Sequence, residues 1–172
     1  IEASIETLET FNTRVIDDEA DRYFFVEEPV KVEIEDAPED LEADMRVHPE
    51  HPERGTRSPS LGREEGEILE VYMDESDLQD RFLRMKGLCN IRLDGRTAEY
   101  VEGDHTVALE KNADIVHWVP VTSEEARVKM PDGTTKDGLL EPSDIEEDEV
   151  VQFERFGFVR CDRDNVFYYT HG

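Results

Sequence analysis

Lysine is scarce in this chain. Only Lys31, Lys86, Lys111, Lys129 and Lys136 stand among 19 basic residues, against 45 aspartates and glutamates, for a formal net charge of −26. Such a surface does not grip a polyanion through bulk charge. Trading lysine for carboxylate suits a cytoplasm at molar salt, where the screening length falls to about 3 Å and self-repulsion fades. A halophilic source is the expectation, with an acidic interaction domain as the alternative. Cysteine is scarce too: Cys89 and Cys161 stand alone, with no C-x-x-C, which excludes a disulfide framework and fits a reducing compartment. No apolar run approaches the length of a membrane-spanning helix, and no signal peptide is visible. A soluble cytoplasmic protein without membrane contact is expected. The chain opens on Ile1, so a processed product or a piece of a longer protein is expected.

The motifs of self-contained catalysis are also missing. There is no phosphate-binding glycine loop, no G-x-S-x-G and no H-E-x-x-H. Carboxylates are too numerous for any pair to be diagnostic. "HPEHPE" (His48 to Glu53) gathers two histidines and two glutamates, but Pro49 and Pro52 hold it extended. A rigid surface loop is expected there, and no metal. His117, inside the apolar "IVHWV", is expected to be a core or interface histidine rather than a catalytic base.

What is present is strand pattern. Hydrophobic residues make up 37% of the chain and charged residues also 37%, a balance that by itself raises the question of disorder. The apolar residues, however, are bunched into short alternating runs, which points to an all-β fold with long acidic loops. Ile5, Leu8, Phe11 and Val15 lie near helical spacing and predict a short helix or the tail of one. "RYFFVEEPVKVEIE" predicts a strand from Tyr23 to Val26, a break at Pro29, and then Val30, Val32 and Ile34 alternating with charge. Residues 36–66 are rich in proline, glycine and charge, and so long a stretch is expected to be functional or mobile. "EILEVYMDES" returns to alternation, with Leu69, Val71 and Met73 on one face. Asp94-Gly95, Asp132-Gly133 and Asp137-Gly138 are predicted hairpin turns. Short strands at this spacing predict one or two small barrels.

"VVQFERFGFVRCDRDN" (Val150 to Asn165) reads as one strand-like run that carries arginines, an amide and phenylalanines. RNA readers need aromatic faces for stacking, amides or guanidinium forks for base edges, and a few cations for phosphate. In a regular strand Gln152 and Arg155 face opposite ways, so they meet only across a bulge or bend, which Gly157 permits. Alternation leaves open whether Phe153, Phe156 and Tyr23 stack on bases or build the core.

Seven segments, "DRYFFVEEPVKVEIE", "HPEHPERGTRS", "GEILEVYMDESD", "LRMKGLCNIRL", "ADIVHWVPV", "LLEPS" and "VVQFERFGFVRCD", occur in order over about 150 residues. In this order they resemble the C-terminal region of class I glutamyl- and glutaminyl-tRNA synthetases, and the chain is similar to the anticodon-binding region of the archaeal-type glutamyl enzyme. The resemblance implies two small interlocked β-barrels with a short N-terminal helical stem remnant. Residues 1–20 would end a stem leading from a missing catalytic domain. Residues 21–120 would form a first barrel with the long acidic loop at 36–66, and residues 121–172 a second barrel with strands returning to the first. It further implies that Gln152 and Arg155, in the family's Q-F-E-R motif, meet the middle anticodon base together with Arg22. Lys86, in "LRMKG", sits where glutaminyl relatives carry a basic residue near the first base. Those relatives use a basic pair ahead of this strand, whereas "DESDLQDRF" here holds only Arg81, which points to a glutamate-type reader.

The partners implied are the tRNA-Glu anticodon stem-loop and the catalytic domain of the same synthetase, with no DNA and a monomeric state. The whole enzyme would charge tRNA-Glu with glutamate using ATP and Mg²⁺. This chain lacks the ATP-binding motifs, would hold no cofactor and would activate nothing alone. The alternatives are the same region of a glutaminyl enzyme, or an acidic protein-interaction module on the same barrels. The negative surface would then answer to the solvent and the "QFERFGFVR" segment to the RNA. At molar salt little is gained from counterion release, so base-edge hydrogen bonds and stacking would have to hold the complex.

Overall fold

The computed structural model describes residues 14–172. The predicted stem helix therefore lies largely outside the described residues; from 14 to 19 the chain is helical (α1). Strands β1 (Arg22–Tyr23), β2 (Phe25–Val26) and β3 (Pro29–Glu35) follow. Then come β4 (Met45–Arg46), β5 (Thr56–Arg57), β6 (Leu69–Asp74), β7 (Arg81–Met85), β8 (Cys89–Asp94) and β9 (Thr97–Glu102). A short helix α2 (His105–Glu110) precedes β10 (Asp114–Val116) and β11 (Val119–Pro120). The chain finishes with β12 (Glu124–Lys129), β13 (Thr135–Leu140), β14 (Val150–Phe153), β15 (Gly157–Arg163) and β16 (Val166–His171).

Among the described residues these strands make two seven-stranded sheets, in the orders β10-β7-β8-β9-β3-β6-β11 and β1-β14-β15-β16-β12-β13-β2, and a β4-β5 ribbon. The two edge strands of each large sheet are close neighbours in the chain. β10 and β11 are separated by His117 and Trp118, and β1 and β2 by Phe24 alone. Each sheet must therefore curl until its edges come near one another, giving two barrel-like sheets and the all-β architecture expected from the sequence. Alternation fills the interiors. Val32 and Ile34 of β3 and Leu69, Val71 and Met73 of β6 are fully buried in the first core, which Trp118 plugs. Phe153, Val159, Phe167 and Val128 build the second core.

The four residues Tyr23-Phe24-Phe25-Val26 interlock the two sheets. Phe24 and Val26 belong to the first core, whereas Phe25 belongs to the second and Tyr23 packs against it. Both β1 and β2 lie in the second sheet, and the first sheet starts at β3. The reason is the period-2 alternation of an extended chain, which at a seam delivers successive side chains to opposite cores.

Two turn assignments hold and one fails. Asp94-Gly95 and Asp132-Gly133 join β8 to β9 and β12 to β13, with Gly95 and Gly133 in the left-handed region. Asp137-Gly138 instead lies inside β13. The glycine there answers to crowding: a Cβ on Gly138 would stand 2.3 Å from the Val26 carbonyl oxygen and 2.8 Å from the Phe25 ring. Gly138→Ala is expected to push β13 off β2 and cost about 1–3 kcal/mol, read as a lower urea midpoint; an unchanged midpoint would refute this close approach. The 36–66 segment is also more ordered than its composition suggests. It carries the β4-β5 ribbon, and three of its apolar residues, Ala43, Met45 and Leu61, are buried in the first core.

Candidate nucleic-acid interface

The "VVQFERFGFVR" run is a hairpin rather than one strand. β14 pairs antiparallel with β15, from Val150 opposite Arg160 to Phe153 opposite Gly157, and residues 154–156 form the turn. Phe156 N–H closes it on the Phe153 carbonyl at 2.9 Å. Arg155 sits at φ 65, a region costly for a side chain bearing a Cβ. Gly157, at φ 148, lets β15 pass close to β16, since a Cβ there would meet the Tyr169 ring at 2.7 Å. The reversal ends strand alternation between Gln152 and Arg155, and no hydrogen bond joins their side chains: Arg155 lines the seam cleft and Gln152 does not.

All four residues singled out in the sequence lie on or against this hairpin. β1 pairs parallel with β14, and Arg22 is the register partner of Gln152. Lys86, in the β7–β8 turn, reaches Glu154 with its Nζ 2.6 Å from Oε1. Arg155 crosses to the first sheet, where its Nη1 and Nη2 donate to the two oxygens of Asp77 at 2.7 and 3.0 Å. The hairpin thus carries Gln152 beside Arg22 and Arg155 beside Lys86's partner Glu154. Each cation already has a carboxylate: Asp17 for Arg22 at 2.8 Å, Asp77 for Arg155 and Glu154 for Lys86. The half-buried Gln152 amide makes no hydrogen bond among the described residues.

A cleft of about 210 Å³ opens at this seam, lined by Phe25, Asp74, Ser76, His117, Glu154 and Arg155. His117, an unremarkable histidine by sequence, is buried there and its Nδ1 accepts from Arg155 Nη1 at 2.8 Å. Burial, followed by the Arg155 charge, pushes its imidazole below the usual value, so it stays a neutral acceptor. The Asp77 hydrogen bond raises Arg155 in turn. Asp77 and His117 are neighbours of Arg155 that the sequence did not reveal, since neither of their segments announces that both meet residue 155. Phe153 is fully buried and stacks on Phe25 at 5.0 Å, while Phe156 meets Phe25 edge-on at 5.3 Å. Tyr23 packs on the same core, and burial pushes its phenol up to about 12. Phe153 is therefore core, whereas Phe156 and Tyr23 are half-buried against it and Phe156 also lines the cleft.

Behind the seam, Glu141 is buried and accepts the Phe24 N–H at 2.6 Å. Arg57 Nε donates to its two oxygens at 3.0 and 3.1 Å, and the guanidinium lies 4.9 Å from the Phe24 ring centroid. This pair holds the peptide between β1 and β2, the one residue that separates the two edges of the second sheet.

Among the described residues no group of three or more histidine, cysteine, aspartate or glutamate side chains is placed to hold a metal, and no helix is long and apolar enough to cross a membrane. Residues 20–114 match the family described as "tRNA synthetases class I (E and Q), anti-codon binding domain", and residues 115–162 match a second family with the same description. The chain belongs to this family. This anticodon-binding domain is 39% identical over 166 residues to the glutamate–tRNA ligase of Methanothermobacter thermautotrophicus. It is 38% identical over 170 residues to the enzymes of that name from Pyrococcus furiosus and Methanocaldococcus jannaschii. These alignments take in 93% to 95% of the domain but only 29% to 30% of each relative, so the chain spans less than a third of their length.

Proposed function

We propose that this domain binds the anticodon loop of tRNA-Glu as the C-terminal part of a glutamate–tRNA ligase, with Gln152, Arg155 and Arg22 reading the middle base and Lys86 standing beside the first. The observation that carries this reading is the register match of Arg22 with Gln152, together with an Arg155 turn held at the seam beside a cleft. An amide offers a donor and an acceptor to a uracil or cytosine edge, and a guanidinium fork takes a carbonyl oxygen and a phosphate together. Net charge points the same way. At −26 the domain cannot rely on counterion release, so affinity falls to directed hydrogen bonds. The scarcity of lysine supports a host with molar intracellular salt and a cytoplasmic location.

The test is binding of the chain, in molar KCl, to the tRNA-Glu anticodon stem-loop and to a loop with its middle base changed. A preference of about 5- to 150-fold for the native loop is expected from one to two lost base-edge contacts. Equal affinity for the two loops, from a folded chain, would overturn the reading and favour a protein partner for the same surface.

A further inference from the structure

The "HPEHPER" segment, which anticodon recognition does not use, closes on the end of α1. A helix leaves its last four carbonyls without partners inside the helix. Here the carbonyls of residues 17 to 20 each accept a side-chain donor. His48 Nε2 lies 2.6 Å from the Asp17 oxygen. Arg54 Nη2 and Nη1 donate to Asp18 and Glu19, both at 3.0 Å. Arg22 Nη1 donates to Ala20 at 2.8 Å and more weakly to Asp17 at 3.2 Å. The next carbonyl, Asp21, accepts the backbone N–H of Gln152 at 2.9 Å.

His48 is fully buried, and its Nδ1 accepts the Glu50 N–H at 3.1 Å, which leaves Nε2 to carry the proton given to the helix. Its ring meets His51 edge-on at 4.7 Å. His51 reaches Asp18 at 2.6 Å and Glu53 at 2.8 Å, so the loop also grips the helix by charge. Arg22 belongs to this clamp and to the row that holds Gln152. Of its five N–H donors, the helix end takes three when the Asp17 carboxylate is counted, and that fixes the plane of the fork.

We propose that His48 and Arg54 are positioning residues for anticodon readout: by holding the end of α1 they fix the guanidinium of Arg22, whose backbone is in register with Gln152, so that the grip on the helix and the grip on the middle base are coupled. This rests on the function proposed above. In this coupling Arg54 and His48 act only through Arg22.

The experiment uses the full chain in molar KCl, with Arg54→Met as the main variant because that side chain is partly exposed. Without RNA, the Arg22 Nε–H resonance is expected to shift in Arg54→Met. With the two stem-loops, Arg54→Met is expected to lose about three- to tenfold of the middle-base preference, and to lose nothing further once Arg22→Lys is present. His48→Gln, which keeps an N–H donor for the Asp17 carbonyl, should retain the preference that His48→Phe loses. Additive losses, or an equal fall in affinity for both loops, would overturn the coupling. If the native chain shows no preference, the anticodon reading falls; the Arg22 resonance then decides the clamp alone, a shift upholding the link and an unmoved signal refuting it.

Discussion

Replacing Arg57 by methionine is expected to lower the unfolding free energy by about 3–5 kcal/mol, the usual consequence of leaving one member of a buried ion pair alone. The side chains of Arg57 and Glu141 are 12% and 1% exposed, so little solvent is available to take over from the lost partner. Burial already lifts the Glu141 carboxyl above the usual range while Arg57 pulls it down, and removing Arg57 leaves the upward push opposed only by the Phe24 N–H. A carboxyl whose folded pKa lies above its unfolded one binds its proton more tightly when folded. The variant should therefore regain stability as pH falls through that raised value toward the unfolded one, and lose it as pH rises. Adding Glu141→Gln keeps an acceptor for the Phe24 N–H and removes the stranded charge, so the double variant should recover much of the loss. Urea unfolding across pH measures both effects. A deficit under about 1 kcal/mol, typical of exposed pairs, would mean that water reaches the seam.

Gln152→Ala and Arg155→Lys are expected to weaken binding of the anticodon stem-loop by about 1–3 kcal/mol each, or 5- to 150-fold in Kd. They should differ in what else they do. The Gln152 amide makes no hydrogen bond among the described residues, so its removal should leave the urea midpoint unchanged. Lysine at 155 keeps a cation for Asp77 but loses the fork that spans Asp77 and His117. Binding should also depend on pH through His117, which faces Arg155, Asp77 and Asp74. Its folded pKa lies below the ordinary 6.5. The neutral ring, and the stability it brings, are thus present above that value and lost as pH falls through the depressed one, where an imidazolium would push against Arg155. Titrating Kd from neutral to mildly acidic pH should show a weakening that His117→Asn removes. A flat profile would detach His117 from readout.

Strands and their faces were legible because alternation is a local property. Leu69, Val71 and Met73 read as one buried face, and they are one. The hairpin at Glu154–Phe156 was not legible as a turn, because Arg155 takes a left-handed conformation without the glycine or asparagine that would signal it. Asp164 and Asn165 are left-handed too, between β15 and β16, but there the residue types are ones that tolerate it. Asp137-Gly138 misled in the opposite sense: its glycine serves a close approach by a strand more than 100 residues away in sequence, a demand that no local rule carries.

The sequence by itself determined the β class and, through seven ordered segments, the family, and that resemblance singled out Arg22, Gln152 and Arg155. Tertiary structure decided how those residues are held. Tyr23 to Val26 feed two cores in turn, Glu141 waits for Arg57 from a segment that composition marks as loop, and His48 and Arg54 close on carbonyls 31 to 36 residues earlier. The reason is physical. Periodicity reports what each residue does to its own strand, whereas the partner that satisfies a buried charge or an orphan carbonyl is chosen only when distant segments meet.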